Sequence, residues 1–280
     1  MTKKILFINQ EIDPYIADSN MAVMGREVPQ KMQEAGFEIR TFMPKWGVIN
    51  ERRGQLHEVI RLSGMNLIID DSDHPLIIKV ASIPVTRQQI YFIDNDEYFN
   101  SRKMATDENG AVYADNGERA IFFARGVLET VKKLRWQPDI IVCQGWMSAV
   151  VPLYVKTAYC EEPSFAESKI VLSLYGNDLK GSVAANFKQC VEFRDAKASL
   201  LGDFKDDFDY TELGKLGIAY SDGVIAAEES ASQELLDYAK QQNKPVLDYP
   251  GEDFTAAYKD FMLKICPDKE VVEEDDFFIK

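Results

Sequence analysis

Polar and aromatic side chains follow two apolar segments of this sequence, where they could contact a ligand. Gln144 and Trp146 come after the apolar run at 139–143, and Tyr175 follows the one at 169–174. An amide such as that of Gln144 can form hydrogen bonds, but it cannot carry a proton or a positive charge at neutral pH. The rings could stack on a ligand. The alternative is that both rings pack in the core, which we favour for Trp146.

The N-terminal segments are predicted to place a loop at the same edge of a sheet. Residues 4–9 form a continuous apolar run, residues 21–35 have a helical pattern that ends at Gly36, and residues 37–44 alternate as a second strand. This order is typical of a βαβ unit with parallel strands. Ligands of such sheets bind at the carboxyl ends of the strands, so we expect the Gln10–Asn20 loop to contribute to the site.

The rest of the chain continues the alternation of helices and strands, apart from one segment. Residues 57–95 contain strand patterns with little helix between them, which predicts a β-hairpin insertion. Further elements are predicted as helices at 114–133, 148–159 and 229–242 and as strands at 139–143, 169–174 and 223–227. We expect an α/β fold with a doubly wound, mostly parallel Rossmann-like sheet over residues 1–250. An acidic C-terminal tail is predicted at 251–280.

Composition argues against several classes of protein. Because 46 acidic residues face 32 basic ones, giving a formal net charge of −14, we expect the chain to repel nucleic acid and anionic membrane surfaces. The sequence has no apolar run near the roughly 18 residues of a spanning helix and no signal-peptide pattern, so a cytoplasmic protein is expected. The four cysteines have no CxxC spacing and are expected to be reduced. Without G-x-G-x-x-G after the first strand, a dinucleotide redox enzyme is not predicted.

The sequence predicts no metal site and no cofactor. His57 and His74 lie outside any metal-binding spacing, and each is expected to be a surface or hairpin residue. The cluster of Asp70, Asp71 and Asp73 could bind a divalent cation through its carboxylates. The alternative is a solvated hairpin turn, which we favour because Asp next to Ser and Pro is typical of turns.

Six blocks of the sequence have a characteristic order and spacing. They read KILFINQEIDPY, IYFIDNDEYFN, YADNGERAIFFARGVLE, PDIIVCQGWMSAVVPLYVK, IVLSLYGNDLKG and KLGIAYSDGVIAAEESA, within residues 3–240. Together they resemble the N-terminal catalytic domain of the glycogen and starch synthases that use ADP-glucose. The resemblance implies the N-terminal half of a GT-B glycosyltransferase. It also implies glucosyl transfer from ADP-glucose to an α-1,4-glucan in glycogen or starch biosynthesis.

The resemblance also implies which residues would form the site and where this sequence departs from the family. Gln144 and Gly145 stand where the family has His and Asp, in a motif whose Trp is kept as Trp146. Ala17 stands where the family has a lysine that meets the donor phosphates. The substrate-binding residues implied are Trp146, Tyr175, Ser19, Asn20 and Asn116. No catalytic residue is assigned.

Two functions remain open at this point. The first is a glycosyltransferase domain whose cleft needs a second domain, which a separate partner chain could provide. The second is a non-catalytic protein that binds glucan in the same groove or regulates a synthase. An apolar face left uncovered would be expected to find a partner chain or to form a homodimer. The expected ligands are an α-glucan or a nucleotide-sugar.

Overall fold

One mixed β-sheet organises the chain, with helices on both of its faces. The computed structural model describes residues 2–17, 19–84, 86–100, 102–176 and 179–268. Within these ranges the strands are β1 Lys4–Asn9, β2 Glu38–Pro44, β3 His57–Glu58, β4 Met65–Ile69, β5 Ser72–Ser82, β6 Gln89–Asp94, β7 Ile140–Gln144, β8 Lys169–Leu174, β9 Gly223–Ala226 and β10 Val246–Leu247. The strand order is β10-β9-β8-β7-β1-β2-β6-β5-β3, with β4 paired to β5.

The helices connect these strands. They are α1 Asn20–Glu34, α2 Glu51–Gly54, α3 Asn116–Lys133, α4 Val151–Lys156, α5 Phe187–Cys190, α6 Tyr210–Tyr220, α7 Gln233–Gln241 and α8 Thr255–Ile265, with short 3-10 helices at Trp146–Ser148 and Ala198–Leu201. In the part of the chain that the structure describes, none of these helices is long and apolar enough to cross a lipid bilayer.

The predicted doubly wound, mostly parallel sheet is confirmed. β1 pairs in parallel with β2 on one side, from Lys4↔Glu38 to Ile8↔Phe42, and α1 makes the connection between them. On its other side β1 pairs in parallel with β7, from Ile5↔Ile140 to Asn9↔Gln144. β1 is therefore central, with hydrogen-bonded neighbours along both edges.

The insertion at 57–95 contains the antiparallel pairs of the sheet. β5 pairs antiparallel with β3, β4 and β6, while β6 also pairs in parallel with β2. The predicted hairpin therefore extends the central sheet instead of standing apart from it. Asp70 and Asp71 form the turn between β4 and β5 as favoured, whereas Asp73 lies within β5. Among the described residues, no group of His, Cys, Asp and Glu could hold a metal ion.

His74 lies in the hairpin formed by β4 and β5, which was one of the two expected positions, and it is buried there. It lies on the inward face of β5 with Leu76 and Ile78, because alternate residues of a strand share one face. Its ring nitrogens lie 2.9 Å from the Glu97 carboxylate and 2.9 Å from the Tyr98 hydroxyl. His57, at the edge in β3, is exposed as expected.

Side chains that alternate along the buried strands supply two separate cores. In β1, Ile5 and Phe7 belong to the core beneath α1 and α8, whereas Leu6 and Ile8 belong to the core beneath α3, α4 and α6. Strands covered on both faces need apolar residues at every position. This explains why strands such as β1 and β7 read as continuous apolar runs.

Part of the segment predicted as an acidic tail is a packed helix, and this prediction needs correction. Helix α8 buries Tyr258, Phe261, Met262 and Ile265 against the sheet. A Cβ added at Gly223 in β9 would lie 2.6 Å from Ile265 Cδ1, so the helix approaches the strand closely. The sequence pattern was missed because this apolar face occupies only one side of a short helix. Residues 269–280 of the predicted tail lie outside the described residues.

Removing one α8 side chain tests whether this helix belongs to the cooperative fold. Phe261 is 5% exposed, so Phe261→Ala is expected to lower the free energy of unfolding by about 3–5 kcal/mol through lost burial and a cavity. Asp260→Ala, on the exposed side of the same helix, should leave it nearly unchanged. Denaturant unfolding followed by circular dichroism measures both. Equal midpoints for Phe261→Ala and the wild type would contradict this assignment.

Candidate functional site at the carboxyl ends of β1 and β7

The sheet changes its direction of winding between β1 and β7. The chain leaves β1 toward β2 on one side, and it leaves β7 toward β8 on the other. In sheets of this kind the crevice at such a point is the usual ligand site. Here an open cleft of about 620 Å³ begins there, lined by Gln10, Glu11, Tyr15, Ile16, Ala17, Val48, Lys103, Met104, Ala105, Thr106, Gly110, Trp146 and Lys180. The predicted Gln10–Asn20 loop therefore forms one wall.

Helix α1 supports that wall by a very close approach. Asn9 Nδ2 at the end of β1 donates to the Gly25 carbonyl oxygen at 2.9 Å. A Cβ added at Gly25 would lie 2.1 Å from the Glu11 carbonyl oxygen, which no side chain could tolerate. Gly25 thus lets α1 lie directly against the loop that follows β1.

The opposite wall, Lys103–Thr106, is held in place by Arg119 of α3. The Arg119 guanidinium is fully buried and donates to the carbonyl oxygens of Tyr98 at 2.8 Å, Lys103 at 3.0 Å and Met104 at 2.6 Å. It also donates to Asn116 Oδ1 at 2.7 Å, while Asn116 Nδ2 donates to the Ala105 carbonyl oxygen at 2.9 Å. Asn116 is fully buried and helps to position the Lys103–Thr106 wall. This structural role requires no contact with a substrate.

The charged groups of the cleft are two lysines and one buried carboxylate. Lys103 and Lys180 are exposed, and neither forms an ion pair with a carboxylate among the described residues. Glu11 is 4% exposed, and its Oε1 accepts from Gln10 Nε2 at 3.2 Å, whereas its Oε2 has no hydrogen-bond partner in the described structure. The cleft thus combines cations for an anionic group with an acceptor suited to a ligand hydroxyl.

Gln144 ends β7 beneath the cleft and is 4% exposed. Its Nε2 donates to the Met21 carbonyl oxygen and to the Tyr175 hydroxyl, both at 3.0 Å. Its Oε1 is buried without a hydrogen-bond partner in the described structure. The amide donors of Gln144 are therefore used inside the protein, between α1 and the end of β8.

Trp146 contributes only an edge to the cleft, because it is 2% exposed and belongs to the core. The structure therefore supports the alternative favoured from the sequence, in which the Trp146 ring packs in the core. Gly145 precedes it with φ +79°, and a Cβ there would lie 2.5 Å from Gln10 Oε1. Gln10 Oε1 accepts from the Met147 amide at 3.3 Å, so Gln10 fills the space beside Gly145.

Tyr175, the other predicted stacking residue, is likewise buried. Its hydroxyl accepts from Gln144, and its carbonyl oxygen accepts from the Tyr210 hydroxyl at 2.5 Å. Burial raises the pKa of the Tyr175 phenol well above its usual value. Its ring packs in the core beneath α1 and α8 and is not a surface on which a ligand could stack.

Ser19 and Asn20 close the N-terminus of α1. Ser19 Oγ caps the helix by accepting from the Ala22 amide at 3.2 Å. Asn20 Nδ2 donates to Glu228 Oε2 at 3.1 Å, and Glu228 Oε1 accepts from the Gly176 amide at 2.5 Å and from Ser230 at 2.6 Å. Partial burial alone would raise the pKa of Glu228, but these hydrogen bonds hold that pKa below its usual value. A carboxylate of the protein thus lies where helix N-termini commonly bind anions.

Several residues of the site were not predicted from the sequence. They are Glu11, Tyr15, Lys103, Lys180 and Glu228. Glu11 and Tyr15 lie in the predicted Gln10–Asn20 loop, so the carboxyl-end rule could have named them. Glu228 follows the carboxyl end of β9, so the same rule could have predicted it. Lys103 and Lys180 lie on long irregular segments whose path no periodic pattern reveals.

The Glu228 contacts predict a pH-dependent contribution to stability. Because the pKa is lower in the folded chain, the carboxylate stabilises the fold above about pH 4.3, and this contribution is lost as pH falls through the lower folded-state pKa. After allowance for solvent screening, Glu228→Gln is expected to lower the free energy of unfolding at neutral pH by about 1 kcal/mol or less. Urea unfolding at a series of pH values measures it. Glu229→Gln, at the exposed neighbouring position, is the control. If Glu228→Gln changed the free energy of unfolding by the same amount at every pH, the assignment would be contradicted.

Comparison with known proteins agrees with this architecture. The family described as starch synthase catalytic domain matches residues 4–248. A glycogen synthase of Chlorobaculum parvum is 32% identical over 267 residues, which cover 95% of this chain and 51% of that protein. A glycogen synthase of Chlorobium limicola is 39% identical over 173 residues, which cover 61% of this chain and 35% of that protein. The chain thus spans between a third and about half of the length of these relatives.

A solved structure shares the fold. The catalytic domain of starch synthase IV from Arabidopsis thaliana, bound to ADP and acarbose, matches with a TM-score of 0.71 at 14% identity, over 89% of this chain and 51% of that chain. The expected resemblance to the N-terminal half of a GT-B glycosyltransferase is therefore confirmed for the fold. By sequence over most of its length, this chain belongs to the glycogen and starch synthase family.

Proposed function

We propose that this domain forms the acceptor-binding wall of a glycosyltransferase that transfers glucose from ADP-glucose to an α-1,4-glucan in glycogen or starch biosynthesis. The observation that carries the proposal is the cleft at the carboxyl ends of β1 and β7, with a volume of about 620 Å³. Small-molecule sites commonly have volumes of about 300–1,000 Å³. Family membership supplies the reaction, and a cytoplasmic location fits the proposal.

The lining of the cleft suits a hydroxyl-rich acceptor. Tyr15 lies half-buried on the wall after β1, where its ring meets Phe92 edge-on at 4.8 Å between centroids. Phe92 thus supports a ring whose other side could meet a sugar. Glu11 Oε2 is a buried acceptor beside it, which a sugar hydroxyl would satisfy.

The phosphates of a nucleotide-sugar would need positive charge, which this domain offers from different positions than its family does. Ala17 has no charge, and Glu228 holds the N-terminus of α1, so that helix end is a poor phosphate site. Lys103 and Lys180 are the cations that line the cleft. We assign the donor phosphates to their side of the cleft.

A second candidate function is a non-catalytic protein that binds glucan or regulates a synthase partner. Gln144 favours it, because this residue carries no proton and its donors are engaged by Met21 and Tyr175. In either case a further domain, a partner chain or a second copy of this chain would face the cleft.

Glucan binding by the cleft can be tested in native gels cast with glycogen. The protein is expected to migrate more slowly in these gels, and Tyr15→Leu should restore most of the mobility because it removes the ring that meets the sugar. Tyr249→Leu changes a tyrosine that is 41% exposed outside the cleft and should remain retarded. Wild-type migration that glycogen leaves unaltered would contradict an acceptor site in both candidate functions.

Catalysis separates the two candidates. The chain is fused to the C-terminal half of the Chlorobaculum parvum glycogen synthase, and incorporation of labelled glucose from ADP-glucose into glycogen is measured. Transfer is expected, and Gln144→His should raise it about tenfold or more by placing an ionisable ring at the family's position. If neither fusion incorporates label while the intact Chlorobaculum enzyme does, the non-catalytic candidate is favoured.

A further inference from the structure

A second groove lies at the opposite edge of the sheet from the cleft. It has a volume of about 440 Å³ and is lined by Arg40, Arg61, Leu62, Tyr91, Lys133 and Leu134. Arg40 lies near the amino end of β2, and Tyr91 near the amino end of β6, which runs parallel to β2. Because β1 and β7 are parallel to β2, the cleft at their carboxyl ends is on the other edge. We call these six residues the basic groove.

Three cations converge on the basic groove without neutralising carboxylates. Arg40, Arg61 and Lys133 come from a strand, a loop and the last turn of a helix. None of them forms an ion pair within 4.0 Å with a carboxylate of the described residues, although many other lysines and arginines of this chain do. In a chain with a net charge of −14, such a cluster is not explained by a general excess of positive charge. Its mutual repulsion would be relieved by an anion.

Arg40 is held rigidly in the groove. Its guanidinium lies over two rings, 5.9 Å from the centroid of Tyr91 and 5.2 Å from that of Trp136. One of its nitrogens also donates to the Tyr91 hydroxyl at 3.0 Å. Trp136 is in turn fixed, because its Nε1 donates to Glu38 Oε1 at 2.5 Å. A guanidinium held in this way loses little further freedom when it binds an anion.

Lys133 alone has a simpler explanation, which does not extend to the other two cations. It lies in the last turn of α3, where a positive charge complements the helix dipole, and its Nζ donates to the Leu62 carbonyl oxygen at 3.1 Å. Arg40 and Arg61 lie outside any helix, so the dipole of α3 does not account for them. Glu38, the carboxylate two residues before Arg40, faces Lys4 at 3.9 Å and Trp136.

We propose that the basic groove binds a phosphate group of a small molecule, at a site separate from the glycosyl-transfer cleft. Three cations around one groove match the charge of a phosphate, and arginine presents paired donors to its oxygens. The groove has room for a pyrophosphate or a phosphorylated sugar, whereas the net charge of −14 disfavours binding of nucleic acid.

Isothermal titration of the full chain with inorganic pyrophosphate and with glucose 1-phosphate tests the proposal. The titrations use the Lys103→Gln/Lys180→Gln background, which removes the cleft cations assigned to donor phosphates. One site is expected there, with a dissociation constant raised about tenfold by a further Arg61→Gln or Lys133→Gln change, since each removes a charge-assisted contact. Arg53→Gln removes an equally exposed arginine outside the groove and should bind like the wild type. The Lys103→Gln/Lys180→Gln background should itself retain the basic-groove site, because both of its changed residues belong to the cleft.

Each outcome decides the matter. Binding of both ligands identifies the phosphoryl group as what is recognised, and binding of pyrophosphate alone identifies an inorganic ligand; both support the site. No heat with either ligand would overturn it. Equal weakening in Arg53→Gln would reveal a general charge effect, and loss in the cleft double variant would place the ligand in the cleft, so either result would also overturn it. These measurements need no glycosyl transfer and are independent of the proposed function.

Discussion

The buried guanidinium of Arg119 holds in place the irregular segment Lys103–Thr106, which forms one wall of the cleft. Instead of water, the guanidinium contacts backbone carbonyl oxygens of residues 98–104. It also lies 5.1–5.6 Å from the ring centroids of Trp46, Phe99 and Tyr113. Burial lowers the pKa of Arg119 to about 10, so it stays charged at neutral pH. An irregular segment otherwise has its polar backbone groups solvated and mobile. Here the carbonyl oxygens converge on one cation, which restrains the loop.

The sequence predicted what short-range patterns determine. Buried parallel strands such as β1 and β7 are continuous apolar runs, and the order of strand, helix and strand implies the position of the switch point. The sequence patterns did not predict which way individual side chains point or which partners they contact. Gln144 was correctly placed at the end of β7, but only the neighbouring Met21 and Tyr175 determine that its donors are used internally. The burial of His74 and of α8 was not predicted for the same reason, because it depends on partners distant in sequence.

Polar side chains at the edge of the cleft form hydrogen bonds within the protein. At the N-terminus of α1, Ser19 caps the helix and Asn20 donates to Glu228. Gln144 similarly joins α1 to the end of β8 through hydrogen bonds. These residues thus join neighbouring elements of this domain. This follows from a general rule that buried polar groups need partners, whether a ligand or the protein provides them.

The contact between Gly145 and Gln10 restricts which residues the turn after β7 can accept. A side chain at position 145 is blocked by Gln10, whose Oε1 and Cβ lie 2.5 and 2.8 Å from the place of the missing Cβ. Because φ at 145 is +79°, a side chain there would be strained even if residue 10 were smaller. The backbone of the turn and the Gln10 side chain together therefore reserve this position for glycine, so that a larger residue would require both the turn and residue 10 to change.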